Sequence, residues 1–223
     1  MEPFDATAIA QEFRSRVDAL PVRKVPLIRP IRRDISKRIA KAQPAQVLEL
    51  ARRLIDLDLR GWAYEVVHFH RPTLRSLDAA AIESIGEGIA DWAAVDTLGT
   101  LLAGPAWVTG QITDADVHRW ARSPDVWWRR TALVATTGLN VKTRGGHGDA
   151  PRTLAVCEML TADHEDMVVK AMSWALRELV PWAPDEVDRW VSVHEEELAA
   201  RVKREVRNKL STGLKNPRKK PPV

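Results

Sequence analysis

Cysteine is nearly missing. Cys157 is the only one in 223 residues, which excludes an internal disulfide framework and any cysteine-rich zinc site. No run of about 18 apolar residues occurs, so no segment is expected to span a membrane. The opening MEPFDATAIAQEF carries acidic residues and no apolar h-region, so it does not read as a signal peptide, and the cytoplasm is the expected compartment. Alternation of the β-strand type is almost absent. Glycine and proline punctuate the chain at intervals without collecting into linkers. Tyrosine occurs once and phenylalanine three times, yet there are nine tryptophans.

What is present is helical periodicity and enough apolar material, 45% of residues, to bury a core. The spacing predicts helices over 6–19, 31–41, 44–57, 60–70, 75–85, 88–103, 114–121, 125–138, 149–161, 164–180, 184–197 and 199–213. Prolines 44, 124, 151 and 184 stand at or near first turns, where a missing N–H costs nothing. Thr113 with Asp116, and Asp163 with Asp166, read as caps. From Asp114 the helix pairs recur every 35–40 residues (114–138, 149–180, 184–213), the period of HEAT-like repeats. The expected fold is all-α, a solenoid of stacked antiparallel helix pairs forming one domain over 1–214 with a concave basic face. A basic, flexible tail over 215–223 follows it. Gly145–Gly148 is a loop; it follows a helix and lacks a downstream Lys-Ser/Thr, so it is not the phosphate-binding loop (P-loop) of nucleotide-binding proteins.

Charge is uneven. Val22–Lys41 holds eight basic residues and one acidic, and Arg201–Lys220 nine and one, so these two segments carry +15 within a net +4. A solvated helix normally mixes signs, and the near-absence of acids suggests that both ends grip a polyanion. His68 and His70 are the only histidines with ligand-like spacing and are expected at the surface; no metal and no cofactor are expected.

Trp107, Trp120 and Trp190 read as core. Three other segments set tryptophan beside charge at helical spacing. In DWAAVDTLG (91–99), Trp92 and Asp96 share a face four residues apart. In DVWWRRTALV (125–134), Arg130 stands three residues after Trp127. In KAMSWALRE (170–178), Lys170, Trp174 and Arg177 fall at i, i+4 and i+7. One such group is ordinary packing of a cationic stem on an indole. Three, with a lone carboxylate in the first, suggest a lined cleft in which indoles meet a cation, basic groups bind phosphate and a carboxylate stabilises developing positive charge.

On these segments the chain resembles the DNA alkylation repair family of HEAT-like-repeat alkylpurine DNA glycosylases. WAAVD is similar to the family's Trp-Asp-x-x-Asp, WWRRTALV to Trp-Leu-Gln-Arg-x-Ala-Ile-Leu, and VKAMSWALRELVPWAPDEV to Lys-Ala-Ile-Gly-Trp-x-Leu-Arg-Glu with its following helix. LAARVKREVRNKL is similar to a closing Ser-Lys/Arg-Arg-Glu-Ala. The resemblance implies catalysis by Asp96, a cradle for the lesion deoxyribose from Trp92 and Trp174 with Trp127 beside it, and DNA contacts from Arg130, Arg177, Lys170, Lys203 and Arg204. Ala93 replaces the first Asp of the family segment, and the first ninety residues match poorly.

The implied chemistry is hydrolysis of the N-glycosidic bond of cationic N3- or N7-alkylated purines in duplex DNA. The charged base is already a good leaving group, and Asp96 would stabilise an oxocarbenium-like sugar and orient water. The substrate would be double-stranded DNA bound by a monomer in the nucleoid. The alternative is a non-catalytic module of the same build that binds distorted or branched DNA; a third reading, a protein-interaction scaffold, predicts no salt-dependent DNA affinity.

Overall fold

The computed structural model describes residues 4–217. Their regular structure is entirely helical, with no strand among the described residues, and no helix there is long and apolar enough to cross a membrane. Helical contacts divide the chain into two compact units, Met1–Leu102 and Ala103–Val223.

The first unit contains α1 (Ala6–Asp18), α2 (Val25–Arg38), α3 (Pro44–Asp56), α4 (Arg60–Phe69), α5 (Arg71–Arg75), α6 (Ala79–Gly86) and α7 (Trp92–Leu98). α3 shows why its helices pack: Val47, Leu50, Ala51 and Leu54 form an i, i+3, i+4, i+7 stripe that is wholly buried. α4 packs on α2, α3 and α7. α2 begins six residues earlier than the expected 31–41 and runs through Pro30. The stripe Ile28, Ile31, Ile35 is buried and draws the segment into the helix, while a proline this close to the start forfeits a single intrahelical bond. The expected helix over 75–85 is instead α5 and α6, because Asp78 accepts from the Ala81 N–H at 2.7 Å and starts a new helix.

The expected helix over 88–103 starts at Trp92, where Asp91 caps it by accepting from Ala94 N at 2.8 Å. It then widens into a π-turn over Gly99–Ala103 and continues as α8 (Gly104–Val108). Pro105 explains the widening. In an unbroken α-helix residue 105 would donate to the Leu101 carbonyl, but proline has no N–H and its ring crowds that oxygen. His68 Nδ1 lies 2.9 Å from the Leu101 carbonyl and supplies the missing donor. The expected surface position of His68 and His70 is therefore corrected. His68 is half-buried in this bond, and His70 is buried as the N-cap of α5, its Nδ1 accepting from the Thr73 N–H at 3.3 Å.

The second unit adds α9 (Asp114–Ala121), α10 (Val126–Asn140), α11 (Ala150–Glu158), α12 (Asp166–Leu179), α13 (Pro184–Val193) and α14 (Ala200–Thr212). α9 packs on α10, α11 on α12 and α13 on α14, as the expected pairing of 114–138, 149–180 and 184–213 requires. The second members also pack side by side, α10 on α12 and α12 on α14. α10 is the centre: every residue from Arg130 to Asn140 is buried. Trp107 and Trp120 lie in the core as expected. Trp190 does not; it is half-buried and its Nε1 donates to Glu158 at 2.9 Å.

Candidate DNA-binding and catalytic residues

In the first unit, α7 presents Trp92 and Asp96. Its inner face is Ala94, Val95 and Leu98, all buried, which turns the other face outward. Trp92 is 58% exposed. An indole carries a large apolar surface, and nothing in the packing of α7 requires leaving it in water. Asp96 stands one turn on and is half-buried. Its backbone carbonyl is held by the Thr100 hydroxyl at 2.6 Å, inside the π-turn. Asp96 thus stands three residues before a π-turn that opens at Gly99, and π-turns are frequent at functional sites.

The basic stretch Val22–Lys41 is neutralised in part within its own unit. Arg32 is buried, bonded to Glu65 at 3.0 Å and stacked 3.8 Å above the Phe69 ring. Arg38 pairs with Glu12, Arg23 with Asp18, and Asp34 takes Arg16 at 2.6 Å. Arg29, Arg33 and Lys37 keep the solvent side of α2 at i, i+4 and i+8.

In the second unit the predicted residues are tethered. Lys170 is paired with Asp166 at 2.5 Å. Trp174 is half-buried and its Nε1 donates to Glu178 at 2.9 Å. Arg177 Nε donates to the Ser173 hydroxyl at 3.2 Å and lies 3.9 Å from Glu205. Arg130 is only 5% exposed, and its Nη1 donates to the Met167 carbonyl, tying α10 to the start of α12. Trp127 is half-buried at the first turn of α10, with its N–H on the Asp125 cap at 2.9 Å. Lys203 donates to the Glu195 carbonyl at 2.7 Å, whereas Arg204 is exposed. Of the expected tail, Lys215 reaches back to Glu205 at 3.4 Å; residues 218–223 lie outside the described residues.

Two residues here escaped the sequence reading. Glu205 is 3% exposed and gathers the Ser173 hydroxyl at 2.6 Å, Lys215 and Arg177. Burial pushes its carboxyl up, but Ser173, Lys215 and Arg177 outweigh that, and it titrates below the usual carboxylate value. A signal existed: it is the lone acid among the nine cations of 201–220. Arg144 is the other. It donates to the Thr137 hydroxyl at 3.3 Å and feels the charge of Glu178, the acceptor of Trp174.

The chain belongs to the DNA alkylation repair enzyme family, whose model matches residues 2–210. That membership points to an enzyme acting in the repair of alkylated DNA, and it extends over the first ninety residues where the motifs are weakest. No curated protein matches the chain.

Proposed function

We propose that the protein is an alkylpurine DNA glycosylase that hydrolyses the N-glycosidic bond of N3- or N7-alkylated purines in duplex DNA, with Asp96 as the catalytic group. The observation that carries this reading is α7: an indole left 58% exposed and a half-buried carboxylate one turn away on the same helical face. The alkylated purine leaves as a neutral base, so no general acid is required at the leaving group. The cost of reaction lies in positive charge at the sugar, which a fixed carboxylate offsets. Trp92 packs on the sugar of the damaged nucleotide. Trp127, Lys170, Trp174, Arg177, Lys203 and Arg204 contact the duplex. The paired helices α9 to α14 fit an α-solenoid of HEAT-like repeats with a basic face toward the DNA.

Release of 7-methylguanine from methylated duplex, quantified by mass spectrometry, tests the reading. Wild-type protein should release the base and Asp96→Asn should not. The second reading, a module that holds distorted DNA without cleaving it, draws support from Ala93 in the place of the family's first Asp and from Arg130, which is turned inward onto the Met167 carbonyl. It predicts tight binding of damaged duplex with no base released by the wild type.

A further inference from the structure

The connection between α10 and α11, residues 141–149, is the longest in the second unit. It is also the most elaborately held. Asn140 is buried; its Nδ2 donates to the Thr136 carbonyl at 3.1 Å and the Thr153 hydroxyl at 2.9 Å, and its Oδ1 accepts from Asp149 N at 3.0 Å. Its carbonyl accepts from Trp182 Nε1 at 2.7 Å. The N–H groups of His147 and Gly148 both return to the Leu139 carbonyl at 3.1 Å. Two glycines are required sterically: a Cβ at Gly146 would stand 2.7 Å from the backbone of Leu139–Val141, and one at Gly148 2.8 Å from Trp182.

This framework presents only polar and cationic groups. Lys142, Thr143, Arg144 and His147 are exposed, and no acid occurs from Val141 to Gly148. Lys142 Nζ rests 4.8 Å above the Trp182 ring. Arg144 Nη1 donates to the Thr137 hydroxyl at 3.3 Å, and Trp182, just past the end of α12, bonds the Asn140 carbonyl, so the loop is braced against α10 and the α12–α13 turn. A connector needs neither this length nor these anchors. Exposed cations held on a rigid support are what binding a polyanion requires, because little side-chain and loop entropy is then lost on association.

We propose that residues 141–148 form a preorganised phosphate clamp on the DNA backbone, with Lys142 and Arg144 contacting phosphate groups. The proposal rests on the reading of the protein as a binder of duplex DNA, and it is independent of catalysis by Asp96. It is tested by fluorescence-anisotropy titration of unmodified and 7-methylguanine-containing duplexes between about 50 and 200 mM salt. For Lys142→Gln/Arg144→Gln, the plot of log affinity against log salt should be shallower than wild type by roughly 1.8, that is about 0.9 for each phosphate no longer neutralised. Affinity should fall equally on both duplexes. The charge-preserving Lys142→Arg/Arg144→Lys should keep the wild-type slope, and thermal melting should show all variants folded. An unchanged slope in the glutamine variant, while the wild type binds with normal salt dependence, overturns the clamp and leaves the DNA reading standing. An equal change of slope in Arg71→Gln/Arg75→Gln, which removes the same charge from exposed positions of the first unit, would make the effect one of net charge and also overturn it. A wild type without salt-dependent affinity overturns both.

Discussion

Helices α7 and α12 start from the same sequence device, a tryptophan with charge at helical spacing, and leave their tryptophans in different surroundings. On α12 every member of the device has an internal partner: Lys170 has Asp166, Trp174 has Glu178, and Arg177 has Ser173 and Glu205. On α7, Trp92 stands open to solvent above Asp96. Spacing alone assigns both groups to one outward stripe. The difference is partly local, since Asp166, Ser173 and Glu178 stand on α12 itself four residues from their partners, and partly set by what lies opposite. α12 is flanked by α10, α11 and α14, which bring Glu205 against its face. The outward face of α7 carries a bulky indole that its own unit does not cover. Under the proposed function α12 would be a preorganised surface, its side chains already oriented before DNA arrives, and α7 the reactive edge. Preorganisation lowers the entropy lost on binding, whereas a catalytic carboxylate must remain accessible to the group it stabilises.

The largest effect that would sharpen this contrast is on α7. Asp96→Asn should reduce single-turnover base release by about 10²–10³, the size of removing one electrostatic stabiliser, while duplex affinity stays near wild type. Excision at the wild-type rate would remove Asp96 as the catalytic group. On the α12 side the corresponding change is Glu205→Ala, which strands Arg177 and releases Lys215. It should lower unfolding free energy by about 2–3 kcal/mol, somewhat below the usual cost of breaking a buried pair because Lys215 reaches Glu205 from solvent. Urea melts measure this, and a decrease under about 0.5 kcal/mol, the scale of a surface substitution, would mean that Glu205 does not hold the α12 face together.

The paired tryptophan variants break the comparison most directly. Trp92→Ala should leave stability within about 0.5 kcal/mol, as substitutions of exposed residues do, yet depress base release. Trp174→Ala should cost roughly 1–2 kcal/mol, less than the 3–5 of a fully buried tryptophan, because the indole is half-buried and bonded to Glu178. Equal stability losses for the two would contradict the assigned difference in exposure.

The smallest effect concerns the histidines that support the α4–α5 corner and the π-turn after α7. Burial pulls His68 and His70 below their ordinary value of 6.5, in His68 against the bond to the Leu101 carbonyl. A depressed histidine binds fewer protons folded than unfolded, so its stabilising effect is complete above pH 6.5 and is lost as pH falls through the lower folded value. Unfolding free energy should therefore be flat above about pH 7 and decline below 6.5. His70→Asn, which retains a capping side chain, should flatten part of that decline. A profile in the variant identical to wild type would show that His70 does not contribute.

Much of this was legible in the sequence, for reasons of short-range chemistry. Apolar periodicity, the Thr113–Asp116 cap and prolines at first turns placed the helices of 114–213 and their pairing, because those signals act within a few residues of the feature they produce, whereas Asp163, expected to cap with Asp166, instead pairs with Arg129 and leaves α12 to start after Glu165. The family motifs likewise read correctly as a DNA alkylation repair enzyme. Where the reading missed, a distant segment decided. The helix expected over 31–41 starts at Val25, because the burial of Ile28, Ile31 and Ile35 carries α2 through Pro30. His68 looked superficial until the π-turn left the Leu101 carbonyl for it. Arg32 and Arg130 counted as surface cations in composition, yet lie buried on Glu65 and on the Met167 carbonyl. A residue's type and spacing determine which face of its helix it occupies, since both are set by 3.6 residues per turn. For Arg32, His68 and Arg130 the partner on that face is Glu65, Leu101 or Met167, more than 30 positions away, and only tertiary packing brings those together.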